Sequence, residues 1–308
     1  MIRMDRFRIA PQVDAALKNK EPVVALESTV LAHGLPFPVN LETARECEKA
    51  VRQEGATPAT IGIVEGAPVV GLADEQLEIF ARGQDEAGTR IEKVSLNNLA
   101  AVILRRSWGA TTVAATMQIA HRAGIRVFAT GGIGGVHRGA VHSFDVSADL
   151  TALSRIPIIC VCAGAKVILD LHKTVEKLET LGVPIVGYQT DEFPAFYCRD
   201  SGLAVTLTVQ TPGEAGELAE HHWRSGLATA VLVCVPVPEE SQLPAREVER
   251  ATEEAVKMAA LAGIRGKALT PFLLAQLEEI SGGKTLDANR DLLINNAAVA
   301  ARIAKAMG

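Results

Sequence analysis

Short apolar runs rich in Val, Ile and Ala alternate with longer amphipathic segments along nearly the whole chain. This alternation constrains the fold more than any other feature. Residues 23–26, 125–129, 158–161, 185–188 and 230–235 have few polar positions, the pattern of strands buried on both faces. Residues 60–64 and 68–71 read as a hairpin turning at Glu65-Gly66, and 204–209 as a more exposed strand. Helices are expected over 40–54, with Asn40 as cap and Gly55 as stop, and over 74–82, 112–122, 166–181, 214–225, 245–262, 271–281 and 287–307. Such a succession argues for the α/β class: a mostly parallel (mixed) β-sheet flanked by helices on both faces. No linker rich in Pro, Gly or Ser, no low-complexity tract and no repeat divides the sequence. Residues 1–308 are therefore expected to form a single domain.

Aromatic residues make up only 4% of the chain, so the core has to be built from Ala, Val, Leu and Ile. The net charge of −5 comes with no basic stripe, which argues against a nucleic-acid polymer as partner. A small phosphorylated ligand stays open, because a few lysines and backbone amides can bind one whatever the global charge. The five cysteines form no Cys-x-x-Cys, which suits a reducing, cytoplasmic setting. Cys160 and Cys162 are read as core packing. Residues 1–10 lack an apolar signal core, and no apolar run approaches membrane-spanning length, so no membrane partner is expected.

Chemistry concentrates where strands end, the position at which open α/β sheets bind ligands. Lys166 is the lone charge between Arg155 and Asp170. It follows a buried strand and the turn Ala163-Gly164-Ala165, and it is expected to open the next helix. Desolvation and the helix dipole would both disfavour its ammonium form, leaving an amine able to attack a sugar or keto carbonyl. The alternative is a lysine that reaches the surface from a helix start. Glu27 ends another strand beside Ser28-Thr29, placed for acid–base work or for a structural hydrogen bond. Residues 130–139 hold five glycines directly after a strand, and their amides could cradle an anion. The pattern is neither that of a P-loop nor that of a dinucleotide site.

Further candidates are more ambiguous. Ser147 reads as a helix cap. Asp145 and Asp149 beside it suit a helix N-terminus, a hard metal ion or a sugar hydroxyl. His137 and His142 lie near Asp145 without the spacing of a closed zinc site. Lys93 sits in an edge segment, either as a surface lysine or as a phosphate contact. Asn289 and the pair Asn295-Asn296 interrupt the last helix at a small cost in propensity, which suggests hydrogen bonds to a ligand or to a tertiary partner.

Together these segments resemble the pseudouridine-5′-phosphate glycosidase family of the indigoidine synthase A-like fold. The resemblance rests on Val24-Ala25-Leu26-Glu27-Ser28-Thr29 with His33-Gly34, on Pro58-Ala59-Thr60-Ile61-Gly62, Lys93-Val94-Ser95 and Gly109-Ala110-Thr111-Thr112-Val113-Ala114, and on the glycine run 128–139. Ser147-Ala148-Asp149-Leu150, Cys162-Ala163-Gly164-Ala165-Lys166, Phe193-Pro194-Ala195-Phe196-Tyr197 and Thr270-Pro271-Phe272-Leu273-Leu274 complete it. It implies reversible cleavage of the C–C glycosidic bond of pseudouridine 5′-phosphate to uracil and ribose 5-phosphate, a step of nucleotide catabolism. By the same resemblance Lys166 is the nucleophile that forms a Schiff base at the sugar C1, and Glu27 is the proton donor that opens the ring. Asp145 binds manganese (Mn2+) through waters, and Lys93, the Val113 backbone, Ser147, Ala148, Asp149 and Asn289 bind the substrate. A homotrimer is implied as well. The chain departs from the family's common pattern at Leu96, Asn97 and Asn98 after the Lys93 segment, at Val141 and at Val235. Another Schiff-base lyase or aldolase acting on a phosphosugar is permitted by the same lysine. A non-catalytic binding protein is disfavoured by the intact Glu27 and Lys166.

Overall fold

The computed structural model describes residues 7–264, 266 and 269–308. The elements run β1 (Arg8–Ile9), α1 (Pro11–Lys18), β2 (Val23–Glu27), α2 (Thr29–His33), α3 (Val39–Gln53), β3 (Thr57–Val64), β4 (Ala67–Val70), α4 (Asp74–Arg82), β5 (Glu92–Val94), α5 (Leu99–Arg105), β6 (Gly109–Thr111), α6 (Val113–Arg122), β7 (Val127–Ala129), α7 (Ala140–Ser143), α8 (Ala148–Leu153) and β8 (Ile159–Cys162). They continue with α9 (Leu171–Thr180), β9 (Ile185–Tyr188), β10 (Leu207–Val209), α10 (Pro212–Arg224), β11 (Val231–Cys234), α11 (Ala245–Leu261), α12 (Leu269–Ser281) and α13 (Lys284–Ala306).

The strands form one mixed sheet in the order β1-β4-β3-β2-β7-β8-β11-β9-β10, with β6 joining β3 to β5. Pairing is parallel except where β3 meets β4 and β6. The β3–β4 hairpin turns at Glu65-Gly66, both at positive φ, as its sequence requires. Every residue of β2, β8, β9 and β11 is buried. Successive side chains point to opposite faces, so both faces of these strands are covered. Helix α13 packs on β2, β7 and β8 and against α3 and α10, while α6 packs on β2 and β3 and against α8. The interfaces are made of small residues: Ala114, Ala115 and Ala120 of α6, and Ala297, Ala300 and Ala301 of α13, are fully buried. All five cysteines are buried and free, which agrees with the reading of Cys160 and Cys162 as core.

Two local expectations need correction. Asn40 does not cap α3, which begins one residue earlier. Its amide instead donates to the carbonyls of Leu31 (2.6 Å) and Ala81 (2.8 Å), satisfying the exposed ends of α2 and α4. Lys166 does not open a helix either. Helix α9 starts at Leu171, where the Asp170 side chain accepts from the Lys173 amide at 3.1 Å. Gly164 at φ +81° turns the chain before Lys166, and a Cβ there would lie 2.0 Å from the Pro194 carbonyl oxygen. The dipole argument for Lys166 therefore does not apply.

Candidate active site

Three neighbouring parallel strands bring the chemistry together. Leu26 of β2 stands opposite Ala129 of β7, and Ala129 opposite Val161 of β8. The residues just beyond, Glu27 and Thr130, are therefore side by side, and the Thr130 hydroxyl donates to Glu27 Oε1. Beyond β7 the glycine-rich segment keeps pairing with the chain that leaves β8. The Ala163 amide donates to the Gly131 carbonyl at 2.8 Å, the Ile133 amide to the Gly164 carbonyl at 3.0 Å, and the Lys166 amide to the Ile133 carbonyl at 3.1 Å. Lys166 is thus fixed by an irregular extension of the sheet, at the same end as Glu27.

This pairing also explains the glycines. A Cβ on Gly132 would sit 2.7 Å from the Phe196 ring, one on Gly134 2.3 Å from Ser147 Oγ, and one on Gly135 2.4 Å from Thr174 Oγ1. Close packing, not left-handed backbone, demands them. The amides of Thr130, Ile133, Gly134, Val136 and His137 all donate within the protein. These five amides are therefore not available to the expected anion cradle.

Glu27 and Lys166 lie where two chambers meet. The outer one, about 370 Å³, is lined by polar groups that include Lys93, Asn97, His137, Asp145, Ser147 and Asp149, together with Val113 and Ala148. The smaller one, about 50 Å³, adds the apolar side chains of Val30, Phe196, Pro271, Leu274 and Leu293, with His33 and Asn289 in its wall. Glu27, Thr29, Lys93, Lys166 and Thr270 border both. The sequence-derived residues Lys166, Glu27, Lys93, Val113, Ser147, Ala148, Asp149, Asn289 and Asp145 thus converge on one connected space.

Burial pushes the Glu27 carboxyl above its ordinary value of 4.5, against the opposing pull of the Lys166 charge and of the Thr130 hydrogen bond. A half-buried amine beside a carboxyl that tends to hold its proton is the pairing expected of a nucleophile and a general acid. His137 is buried, and its pKa is lowered by desolvation against the raising effect of Asp145. Asp145 presents one carboxylate to the outer chamber. Among the described residues no group of three or more His, Cys, Asp or Glu side chains converges to hold a metal ion.

Asp149 has a structural duty as well. One oxygen accepts from the Ala114 amide at the start of α6 (3.0 Å) and the other from the Gly134 amide (2.8 Å). Its own amide is held by Ser147 Oγ, which caps α8 as read from the sequence. Asp149→Ala is expected to orphan two backbone N–H groups and to cost about 2–6 kcal/mol of stability, at about 1–3 kcal/mol for each unpaired group. Denaturant titration measures this, and a loss under about 0.5 kcal/mol, the range of an ordinary surface substitution, would show that the brace is unimportant.

Asn296, ambiguous in the sequence, turns out to serve the framework: its amide donates to the carbonyls of Thr130 (2.9 Å) and Gly131 (3.3 Å). Among the positions that depart from the family pattern, Asn98 donates to the Lys93 carbonyl at 3.1 Å and accepts from the Ser95 amide at 2.8 Å, shaping the turn after β5. Leu96 packs against the core. Val235 is buried after β11, and Val141 is exposed on α7. His33 escaped sequence reasoning. Its motif, His33-Gly34, was visible, but the groups that surround the ring lie on a distant segment.

Comparison with known proteins agrees with this geometry. The family model for indigoidine synthase A like protein matches residues 12–306. The chain is 49% identical over 304 residues to the pseudouridine-5′-phosphate glycosidase of Escherichia coli K12, covering 99% of this chain and 96% of that protein. It is 52% identical over 301 residues to the protein of that name from Chloroflexus aurantiacus, covering 97% of each. The prealnumycin C-glycosynthase AlnA, solved with ribulose 5-phosphate, superposes with a TM-score of 0.89 at 40% identity, covering 98% of this chain and 96% of its own. An indigoidine synthase A-like protein from Thermotoga maritima gives 0.86 at 38% identity, covering 97% and 96%. With a family match from residue 12 to residue 306, the chain belongs to the indigoidine synthase A-like family.

Proposed function

We propose that this protein is a pseudouridine-5′-phosphate glycosidase that works through a Schiff base on Lys166. The observation that carries this reading is the meeting, at Glu27 and Lys166, of a large chamber rich in charged and hydroxyl groups with a small one that adds Phe196, Leu274 and Leu293. A C-nucleotide has the same two halves, a phosphosugar and a flat base, joined at the atom to be attacked. The relatives named for this substrate, and a neighbour named as a C-glycosynthase, support it.

In the cleavage direction the Lys166 amine attacks C1′. The C1′–O4′ bond breaks, and Glu27 gives its proton to O4′. The Lys166 nitrogen, now bonded to C1′, gives up a proton to the Glu27 carboxylate, and Glu27 delivers that proton to C5 of the base. The C1′–C5 bond pair returns to the uracil ring as the Lys166 nitrogen lone pair forms the imine. Water hydrolyses the imine and releases ribose 5-phosphate. A carbon leaving group departs far less readily than a nitrogen one, so the chemistry needs both a nitrogen that can push electrons and a nearby acid. Lys93 is proposed to meet the phosphate. Val113, Ser147, Ala148 and Asp149 border the sugar, and Asn289 contacts the base.

A single carboxylate fits a divalent ion that keeps most of its water, so Asp145 is proposed to hold hydrated manganese. Such an ion would supply positive charge and orientation for oxygen atoms of the substrate. A trimer is proposed too, and the exposed Val141 (68%) and Phe144 (86%), which shortly precede Asp145 in the chain, support burial against another copy. Light scattering at one chain mass would exclude it.

The deciding experiment follows uracil release from pseudouridine 5′-phosphate by absorbance, together with borohydride trapping in the presence of ribose 5-phosphate. Uracil release and a stable adduct on Lys166 are expected. An adduct without uracil release would favour another Schiff-base lyase or aldolase on a phosphosugar. Absence of both would leave a binding protein.

A further inference from the structure

Thr130 is held through its backbone and its side chain alike. Its amide donates to the Val161 carbonyl at 3.0 Å, which extends the pairing of β7 with β8 by one residue. Its carbonyl accepts from the side-chain amide of Asn296 on α13 at 2.9 Å. Its hydroxyl donates to Glu27 Oε1. Thr130 is only 2% exposed and Asn296 is fully buried, so water competes poorly for these bonds. Valine has the same shape and would fill the same space in the core. What threonine adds is one hydroxyl, and that hydroxyl is aimed at the carboxyl that borders both chambers beside Lys166.

The proposed reaction asks more of Glu27 than a single donation. It protonates O4′, takes a proton from the Lys166 nitrogen and delivers it to C5. A carboxyl free to turn about its last bond carries its proton on either oxygen and presents it in two places. In a neutral carboxyl the carbonyl oxygen is the good acceptor and the hydroxyl is the donor. A fixed donor at Oε1 makes Oε1 the carbonyl oxygen, and the proton then belongs to Oε2. The same bond strengthens as the proton departs and Oε1 gains charge.

We propose that Thr130 is a positioning residue for the acid: its hydroxyl, held in place by β8 and Asn296, locks the Glu27 carboxyl and assigns the transferred proton to Oε2. The inference rests on the pseudouridine 5′-phosphate reading above. Thr130 acts through Glu27 and not on the reacting bonds. Its donation also favours the ionised carboxylate and so opposes burial, which raises the Glu27 pKa. Removing the hydroxyl therefore changes the rate and the pH at which the acid is lost.

The test uses Thr130→Val, which keeps the shape and removes the donor, and Thr130→Ser, which keeps the donor and removes a methyl. For the parent and both variants, kcat and KM on pseudouridine 5′-phosphate are measured from acid to alkaline pH, with circular dichroism as the check on folding. Thr130→Val is expected to lose about ten- to a hundredfold in kcat, the effect of one hydrogen bond to a charged group. KM should change little, as for an interaction made in the transition state. The alkaline limb should move to higher pH. Thr130→Ser should recover most of the rate and the parent's limb. Should Thr130→Val fail to fold, Thr130→Ala takes its place against Thr130→Ser, and the same outcomes decide. A donorless variant as fast as the parent, a slower one whose limb stays put or moves down, or a serine variant as slow as the donorless one would overturn the assignment while leaving the glycosidase reading intact. A parent that releases no uracil would overturn both.

Discussion

Lys166→Ala is expected to abolish uracil release, by about 10⁴-fold or more as for loss of other covalent nucleophiles, and to leave the protein folded. The fold should survive because Lys166 is positioned by its backbone: its amide donates to Ile133 and its carbonyl accepts from Leu169. An alanine keeps both bonds. The side chain is half-buried at a cavity wall, so its removal opens little new void in the core. Borohydride should no longer couple ribose 5-phosphate to the variant, and the circular dichroism spectrum should match that of the parent. Turnover within tenfold of the parent would exclude the imine. A second effect follows from charge. Lys166 is the strongest influence that lowers the Glu27 pKa, so its loss should raise that pKa further.

Glu27→Gln is expected to slow turnover by about 10²–10⁴-fold, the usual contribution of a positioned acid, with uracil and ribose 5-phosphate still bound. An unchanged rate would remove the acid role. The same variant reports on burial. The folded state raises the Glu27 pKa, chiefly by desolvation, so in the folded protein the proton is held more tightly than in the unfolded chain. Whatever stability the protonated group contributes is complete below the unfolded value near 4.5 and is lost as pH rises through the higher folded value. Glutamine carries no such charge. The melting temperature of Glu27→Gln relative to the parent should therefore climb with pH across that window. A difference that is flat or falls with pH would mean that burial does not destabilise the ionised carboxylate. The parent's turnover should also decline toward alkaline pH as Glu27 loses its proton, with the limb displaced above ordinary carboxylate titration.

Much of the site was readable because parallel sheets place their chemistry where strands end. The apolar runs before Glu27, Thr130 and Lys166 identified three such ends without any coordinates. The order of the strands was not readable, and it is adjacency in that order that makes Thr130 a partner of Glu27. Short elements held by their surroundings escaped as well. Helix α2 spans only Thr29–His33 and has no side-chain cap, and it packs against α3, α4, β5 and β6. Its local sequence competes with turn conformations, and tertiary contacts decide the outcome. The start of α9 was misjudged for a related reason: the 163–166 amides pair with the glycine segment instead of entering a helix. Glycine admits both an open amide nest and tight packing, and only the positions of Phe196, Ser147 and Thr174 show that Gly132, Gly134 and Gly135 are close-packed. Asp149 illustrates the limit for single residues. A carboxylate two positions after a capping serine looks the same in sequence whether it meets a ligand or ties two backbone segments together.

Helix α13 carries Asn289, Leu293 and Asn296, which wall the smaller chamber and anchor the carbonyls of Thr130 and Gly131. It lies more than a hundred positions downstream of Lys166 in the chain. During translation Lys166 and Glu27 therefore emerge well before the wall that completes the cavity beside them. A nascent polypeptide stalled ahead of residue 284 would carry both side chains and lack the Asn289 and Leu293 face of that cavity. The pocket beside Lys166 therefore gains its last wall only when residues 284–306 are in place.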